Sequence, residues 1–240
     1  MSSAPAPHVR TKVDRWPHPA AEEIFRLLEA LRTGAVAVEA LQAESLAIFE
    51  RARLASALAK EIAEVAESEA DMWLVRRHVG PCRYTLQLLH VEAGEVHPPH
   101  HHHNLISTQI VLTGQVRLRE YDRVRRQDGG PLHLRLAAER LLAPGDAFQA
   151  SEWHRNVHWF AAESGPAIVW NFNARGYETT TFDPDDGGPF GRRYLDQRTY
   201  GVDGLVIAEE LDAEAAEARF QGRPLTADPV PAEIVRTDPA

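Results

Sequence analysis

Two short segments of this chain concentrate the side chains best able to do chemistry. HPPHHHHN carries His97, His100, His101, His102 and His103, and WHRNVHWF carries His154 and His158, which together make seven of the twelve histidines. Neutral imidazole is the commonest metal ligand among side chains. Residues i and i+2 of a strand share a face, so His100 with His102 form one pair and His101 with His103 the other. Either pair, joined by a third histidine from a distant strand, makes a three-nitrogen site with positions left for water or substrate. Competing chemistries find little support. Cys82 is the only cysteine, which excludes an internal disulfide and a cysteine-rich zinc site. No Ser-His-Asp arrangement, phosphate-cradling loop or dinucleotide glycine signature is present.

The elements that must position these histidines fall into three regions. Residues 1–71 hold a loose lead over 1–17, a helix from Pro19 with Gly34 at its exit, and a helical stretch from Val36 to Ser68. The stripe Leu41, Ser45, Ile48, Leu58, Ile62 and Val65 marks one face of that stretch, which covers the strands, joins a second subunit or binds a partner helix. Residues 72–175 change character: short apolar or alternating runs are separated by Gly80-Pro81, Asp128-Gly129-Gly130 and Pro144-Gly145. Close spacing of this kind predicts an antiparallel sandwich or barrel, with Gly114 and Gly145 at tight turns. Phe148, Trp153, Trp170 and Phe172 read as core, while Asn171 and Asn173 alternate with them and could face either way. Residues 176–240 are polar and turn-rich, with a short helix expected over Leu205–Phe220 and a wrapping role around the barrel or a second subunit.

Composition bounds the partners. The net charge of -9 and the scattered 26 Lys plus Arg give no basic face for phosphate, so nucleic acid is not expected. No run reaches the apolar length of a membrane span, and the N-terminus shows no apolar signal region, so a cytoplasmic location is the expectation.

The segment GEVHPPHHHHNLISTQIVLTG, Gly94 to Gly114, resembles the first motif of the cupin superfamily, with Gly94, His100, His102 and Gly114 in frame. Its Pro98-Pro99-His100 start is similar to the germin branch. Pro144-Gly145-Asp146 opens a looser likeness to the second motif, and His154 stands where that motif places its metal-binding histidine. The resemblance covers about residues 85–173. It implies a mainly β fold, a cupin-type antiparallel barrel or jelly roll with N-terminal helices and a C-terminal extension. It also implies a divalent metal held by His100, His102 and His154. His158 could take the place of His154 under a different strand register, and His101 with His103 could replace the first pair. Otherwise His97, His101 and His103 are expected to face solvent or to stand behind the ligands.

Ser107 occupies the position at which the first motif usually holds an acidic ligand. With Ser there, the chain looks more like three-histidine cupins such as thiol, diketone and gentisate dioxygenases. That likeness implies Fe(II), with Zn, Mn and Ni as alternatives, and dioxygen plus a small molecule as partners. Three neutral ligands leave the ion its full charge, which favours an anionic or chelating substrate. Gln109 shares the face of Ser107 and is expected, with His158, to support the chemistry by hydrogen bonding, or else to be an ordinary interior amide. Tyr84 is a candidate proton donor, and Arg117 and Arg119 are either an anion contact or a solvated face. The expected function is a ferrous dioxygenase acting on a small organic acid, thiol or other chelating molecule, with a non-redox isomerase or decarboxylase and a metal- or ligand-binding cupin without catalysis as the alternatives. A homodimer is the expected assembly.

Overall fold

The computed structural model describes residues 16–79, 82–94, 96–126, 130–152, 154–177, 192–200 and 205–220. The lead before residue 16, the Gly80-Pro81 turn, Asp128-Gly129, Trp153 and the Pro-punctuated end lie outside the described residues, as does the side chain of His97.

Four helices come first: α1 (Pro19–Arg32), α2 (Val38–Ala52), α3 (Leu54–Ala57) and α4 (Ala59–Ser68). Pro19 opens α1, where its missing N–H costs nothing, and Gly34 leaves it at φ +73°. The expected single helix over residues 36–68 is instead three pieces. Arg53 adopts a left-handed conformation at φ 49°, and Leu58, at φ -116°, separates α3 from α4. Across these breaks Leu41, Ser45, Ile48, Leu58 and Val65 are all buried.

The strands are β1 (Met72–Val79), β2 (Cys82–Val91), β3 (Val96–His102), β4 (Leu105–Thr113), β5 (Val116–Arg126), β6 (Leu132–Leu142), β7 (Ala147–Ala150), β8 (Val157–Ala162), β9 (Ala167–Arg175), β10 (Arg192–Tyr200) and β11 (Val206–Leu211), followed by helix α5 (Ala213–Phe220). The helix expected over Leu205–Phe220 therefore begins only at Ala213. Val206 and Ala208 are buried while Ile207 is not, the two-residue period of a strand, and β11 pairs with β6. The fold is mainly β. One sheet runs β1-β2-β9-β4-β7, and β10-β11-β6-β5-β8-β3 close into a six-stranded barrel, with every ladder antiparallel.

Register divides the core into three. One face of the five-stranded sheet, with Leu86, Leu88, Ile106, Ile110, Trp170 and Phe172, packs under the helices. There the Ser45 hydroxyl meets the Thr108 hydroxyl at 3.3 Å, and the Tyr84 hydroxyl donates to the Ala21 carbonyl at 3.1 Å. Tyr84 thus serves helix packing and is turned from the interior between the sheets. The other face meets the barrel wall through Val111, Phe148 and Val169 against Leu118, Phe160 and Ala162. A third cluster, including Tyr121, Leu134, Trp159, Leu195 and Val206, fills the barrel itself. Strand β8 is buried at every residue because Val157 and Trp159 face one cluster while Phe160 and Ala162 face another. A run such as VHWFAA reads as continuously apolar for that reason. Among the described residues no helix is long and apolar enough to cross a membrane.

Cys82 sits in β2 with 2% of its surface exposed, and burial pushes its thiol up to about 11. The folded state favours the neutral thiol, so this contribution to stability is complete below the ordinary value of 9.0 and is lost as pH rises towards 11. Iodoacetamide at pH 8 is expected to label Cys82 at least ~100-fold more slowly in native than in urea-unfolded protein, because only exposed thiolate reacts. Equal rates by mass spectrometry would contradict the burial.

Candidate metal centre

His100, His102 and His158 come together in the described residues, each buried, with one ligand atom from each lying within 4.8 Å of the others. Ring centroids are 4.6 Å apart for His100–His102 and for His100–His158, and 5.5 Å for His102–His158. The two-residue repeat of β3 puts His100 and His102 on one face. The antiparallel register then sets His158 of β8 directly opposite His100.

His154, the expected third ligand, stands exposed on the turn before β8 and outside this group. It shares parity with His158, but β8 begins only at Val157, and left-handed Arg155 at φ 48° turns the chain in between. His158, expected as a supporting residue, takes the facing position. His101 and His103 point the other way, yet they are buried at 1% and 5% exposure rather than solvent-facing. His101 Nε2 is 3.2 Å from Glu210 Oε1, and His103 Nδ1 is 3.6 Å from Glu152 Oε1.

The backbone of β3 is fixed by two residues that sequence reasoning passed over. The Asn156 side chain accepts from the His102 N–H at 2.7 Å and donates to the His102 carbonyl at 2.7 Å. One amide thereby imitates a ladder rung just before β8 begins. Glu152 Oε2 accepts from the Asn104 N–H at 2.7 Å and holds the β3–β4 turn, where Asn104 is left-handed at φ 51°. The signal available in sequence was slight: an Asn and a Glu in a turn before an apolar strand. Replacing Asn156 by Leu would strand both polar groups of the buried His102 peptide units, at about 1–3 kcal/mol each. Asn156→Leu is expected to destabilise the protein by about 2–4 kcal/mol in urea unfolding. No change for the Leu variant would refute the rung.

Charge lies beside the cluster. Glu120 of β5 is opposite His158 in register and only 1% exposed. Its Oε2 accepts from Arg140 at 2.8 Å and from Arg155 at 2.9 Å, so the carboxylate is held between two guanidinium groups. Arg117 and Arg119, candidate anion contacts, are engaged elsewhere. Arg117 pairs with Glu163 and Glu139, and Arg119 pairs with Glu139 while stacking 4.7 Å over Trp159. The Arg117 contact holds the Glu163 carboxyl below its ordinary value.

Across from the histidines, the five-stranded sheet turns from apolar to polar one step along each of its three central strands. Leu89, Val169 and Val111 are side by side, then Gln87, Asn171 and Gln109, then Thr85, Asn173 and Ser107. Val111 and Val169 belong to the cluster between the sheets, so the polar rows share its face. Asn171 and Asn173 thereby face the interior. Phe148, paired with Gln109 in register, has its ring 6.2 Å from that of His158 and links the polar rows to the cluster. Gln109 Nε2 donates to Asn171 Oδ1 at 3.1 Å.

The donor set suits a divalent ion. Nitrogen ligands sit ~2.1 Å from zinc, so two on one ion are at most about 4.2 Å apart, and gathering this trio asks for shifts under about 1 Å. Three imidazoles are also a borderline donor set that accepts Fe, Zn, Ni or Mn.

No protein-family model and no curated protein matches the chain. Solved structures match over parts of it. An oxalate oxidase is 15% identical over 39% of this chain and 42% of its own, with a TM-score of 0.31, so the chain spans less than half of that enzyme's length. KdgF from Halomonas sp. is 21% identical over 44% of this chain and 76% of its own, with a TM-score of 0.31. A cupin-2 domain containing protein from Shewanella frigidimarina is 14% identical over 43% and 78%, with a TM-score of 0.29. The chain itself is mainly β, closes a six-stranded barrel, and gathers three buried histidines, two of them in the segment that resembles the first cupin motif.

Proposed function

We propose that the protein is a metal-dependent oxygenase of the cupin kind, a ferrous dioxygenase whose ion is held by His100, His102 and His158. The observation carrying this reading is the cluster itself: three buried imidazoles and no carboxylate among its members. A divalent ion bound there would supply a Lewis-acid centre with open positions for dioxygen and a small chelating substrate. The chain's own part is positional. Asn156 fixes the strand that carries His102, Phe148 packs beside His158, and the barrel wall excludes bulk water. Gln109 lies in the facing polar row, placed to hydrogen-bond a substrate.

A non-redox isomerase or decarboxylase would use the same ion but needs a resident general base. Glu120, the buried carboxylate directly opposite His158, is tied to Arg140 and Arg155, which favours the oxygenase reading. The deciding experiment is metal analysis of protein purified without an affinity tag, followed by dioxygen uptake by the Fe(II)-loaded protein with small acids, thiols and diols. One equivalent of iron with substrate-dependent uptake is expected. Metal without any uptake would move the assignment to the non-redox class.

A further inference from the structure

Resting on the metal reading above, we infer that the polar rows on the five-stranded sheet read a neutral, hydroxyl-bearing chelator, such as a vicinal diol, in preference to a carboxylate. Six uncharged side chains form these rows: Gln87, Asn171 and Gln109, then Thr85, Asn173 and Ser107. All are buried, and none of them carries a charge to pair with a substrate carboxylate or ammonium.

Two atoms in the rows point to a ligand. Ser107 is 0% exposed and Gln109 is 5% exposed, yet Ser107 Oγ and Gln109 Oε1 have no hydrogen-bond partner among the described residues. Buried polar atoms left so are uncommon and costly, and a bound molecule is one way to satisfy them. Gln109 gives one Nε2 hydrogen to Asn171, and its Oε1 is the acceptor left without a partner. An acceptor is satisfied by a hydroxyl and repelled by a carboxylate, which brings only acceptors. Ser107 pairs in register with Ala150, so small side chains stand together at this end of the sheet. The fit is to hydroxyl groups, which donate to Gln109 and exchange hydrogen bonds with Ser107.

The test uses Zn(II)-loaded full-length protein titrated calorimetrically with catechol and with salicylate, in which a carboxylate replaces one hydroxyl. The readout is catechol-over-salicylate selectivity in each protein compared with wild type, which removes the ion's own preference. Gln109→Leu is expected to lower that selectivity about tenfold at unchanged zinc stoichiometry, the effect of losing one hydrogen bond to the ligand. Ser107→Ala, which removes a single oxygen and spares packing, should lower it several-fold. Selectivity unchanged in both variants, or a wild type that binds salicylate alone, would overturn the inference while leaving the metal site standing. Failure of wild type to take up zinc would instead bring down the metal reading and this inference with it.

Discussion

Alanine at His100, His102 or His158 is expected to abolish stoichiometric binding of a divalent ion, whereas His154→Ala leaves it at the wild-type level. Three donors within 4.8 Å of one another form the cluster, and each of those variants would leave two. Loss of even an outer partner of a ligand costs roughly 10–100-fold in metal affinity, so loss of a ligand belongs at or beyond the top of that range. His154 lies exposed on the preceding turn and has no such leverage. Metal content after dialysis and competitive chelation would read the effect, with circular dichroism confirming that each variant folds. An ion retained in His158→Ala and lost in His154→Ala would return the third place to His154.

Gly114→Ala should be the more damaging of two matched glycine substitutions. Gly94 and Gly114 have nearly the same backbone, at φ +76° and +75°, and alanine in that left-handed region costs about 1–2 kcal/mol at either. Their surroundings differ. A Cβ at Gly94 meets nothing within 4 Å, but at Gly114 it would lie 2.5 Å from the Pro166 carbonyl oxygen and 2.9 Å from the Ala167 Cα. Those are backbone atoms at the entry to β9 and cannot swing aside as a side chain could, so overpacking adds about 1–3 kcal/mol. Thermal unfolding should show Gly94→Ala lower by a few degrees and Gly114→Ala by roughly 10 °C. Equal losses would mean that φ alone matters and that the close approach relaxes.

The strand region could be read from local spacing. Alternation, turn glycines and the i, i+2 rule concern neighbours in sequence; they offer two pairs, His100 with His102 and His101 with His103, and only the frame of the motif from Gly94 to Gly114 favours the first. The third histidine could not be read in that way. Choosing between His154 and His158 depends on where β8 begins, which is set by the Asn156 rung and the left-handed Arg155. Burial of His101 and His103 is not legible for a similar reason: the groups beside them, Glu210 of β11 and Glu152, are distant in sequence. The segment before α5 was misread because Val206 and Ala208 suit either element until β6 pairs with them. Gly114, in contrast, declared itself, since few other residues tolerate its turn.

The pairing of β3 with β10 has a consequence for how the protein comes into being. Tyr194 lies opposite His100, and Arg192 opposite His102. During synthesis, the strand bearing two of the three histidines emerges long before the neighbour that completes its far edge. Until then its backbone amides and carbonyls lie open on that side, an invitation to pair with another nascent chain. A chain terminated after β9 would keep all three histidines and still carry this bare edge. The stretch through β10 and β11 is therefore what makes the histidine strand an interior strand, and a ribosome that stops short of it leaves the site built on a raw margin.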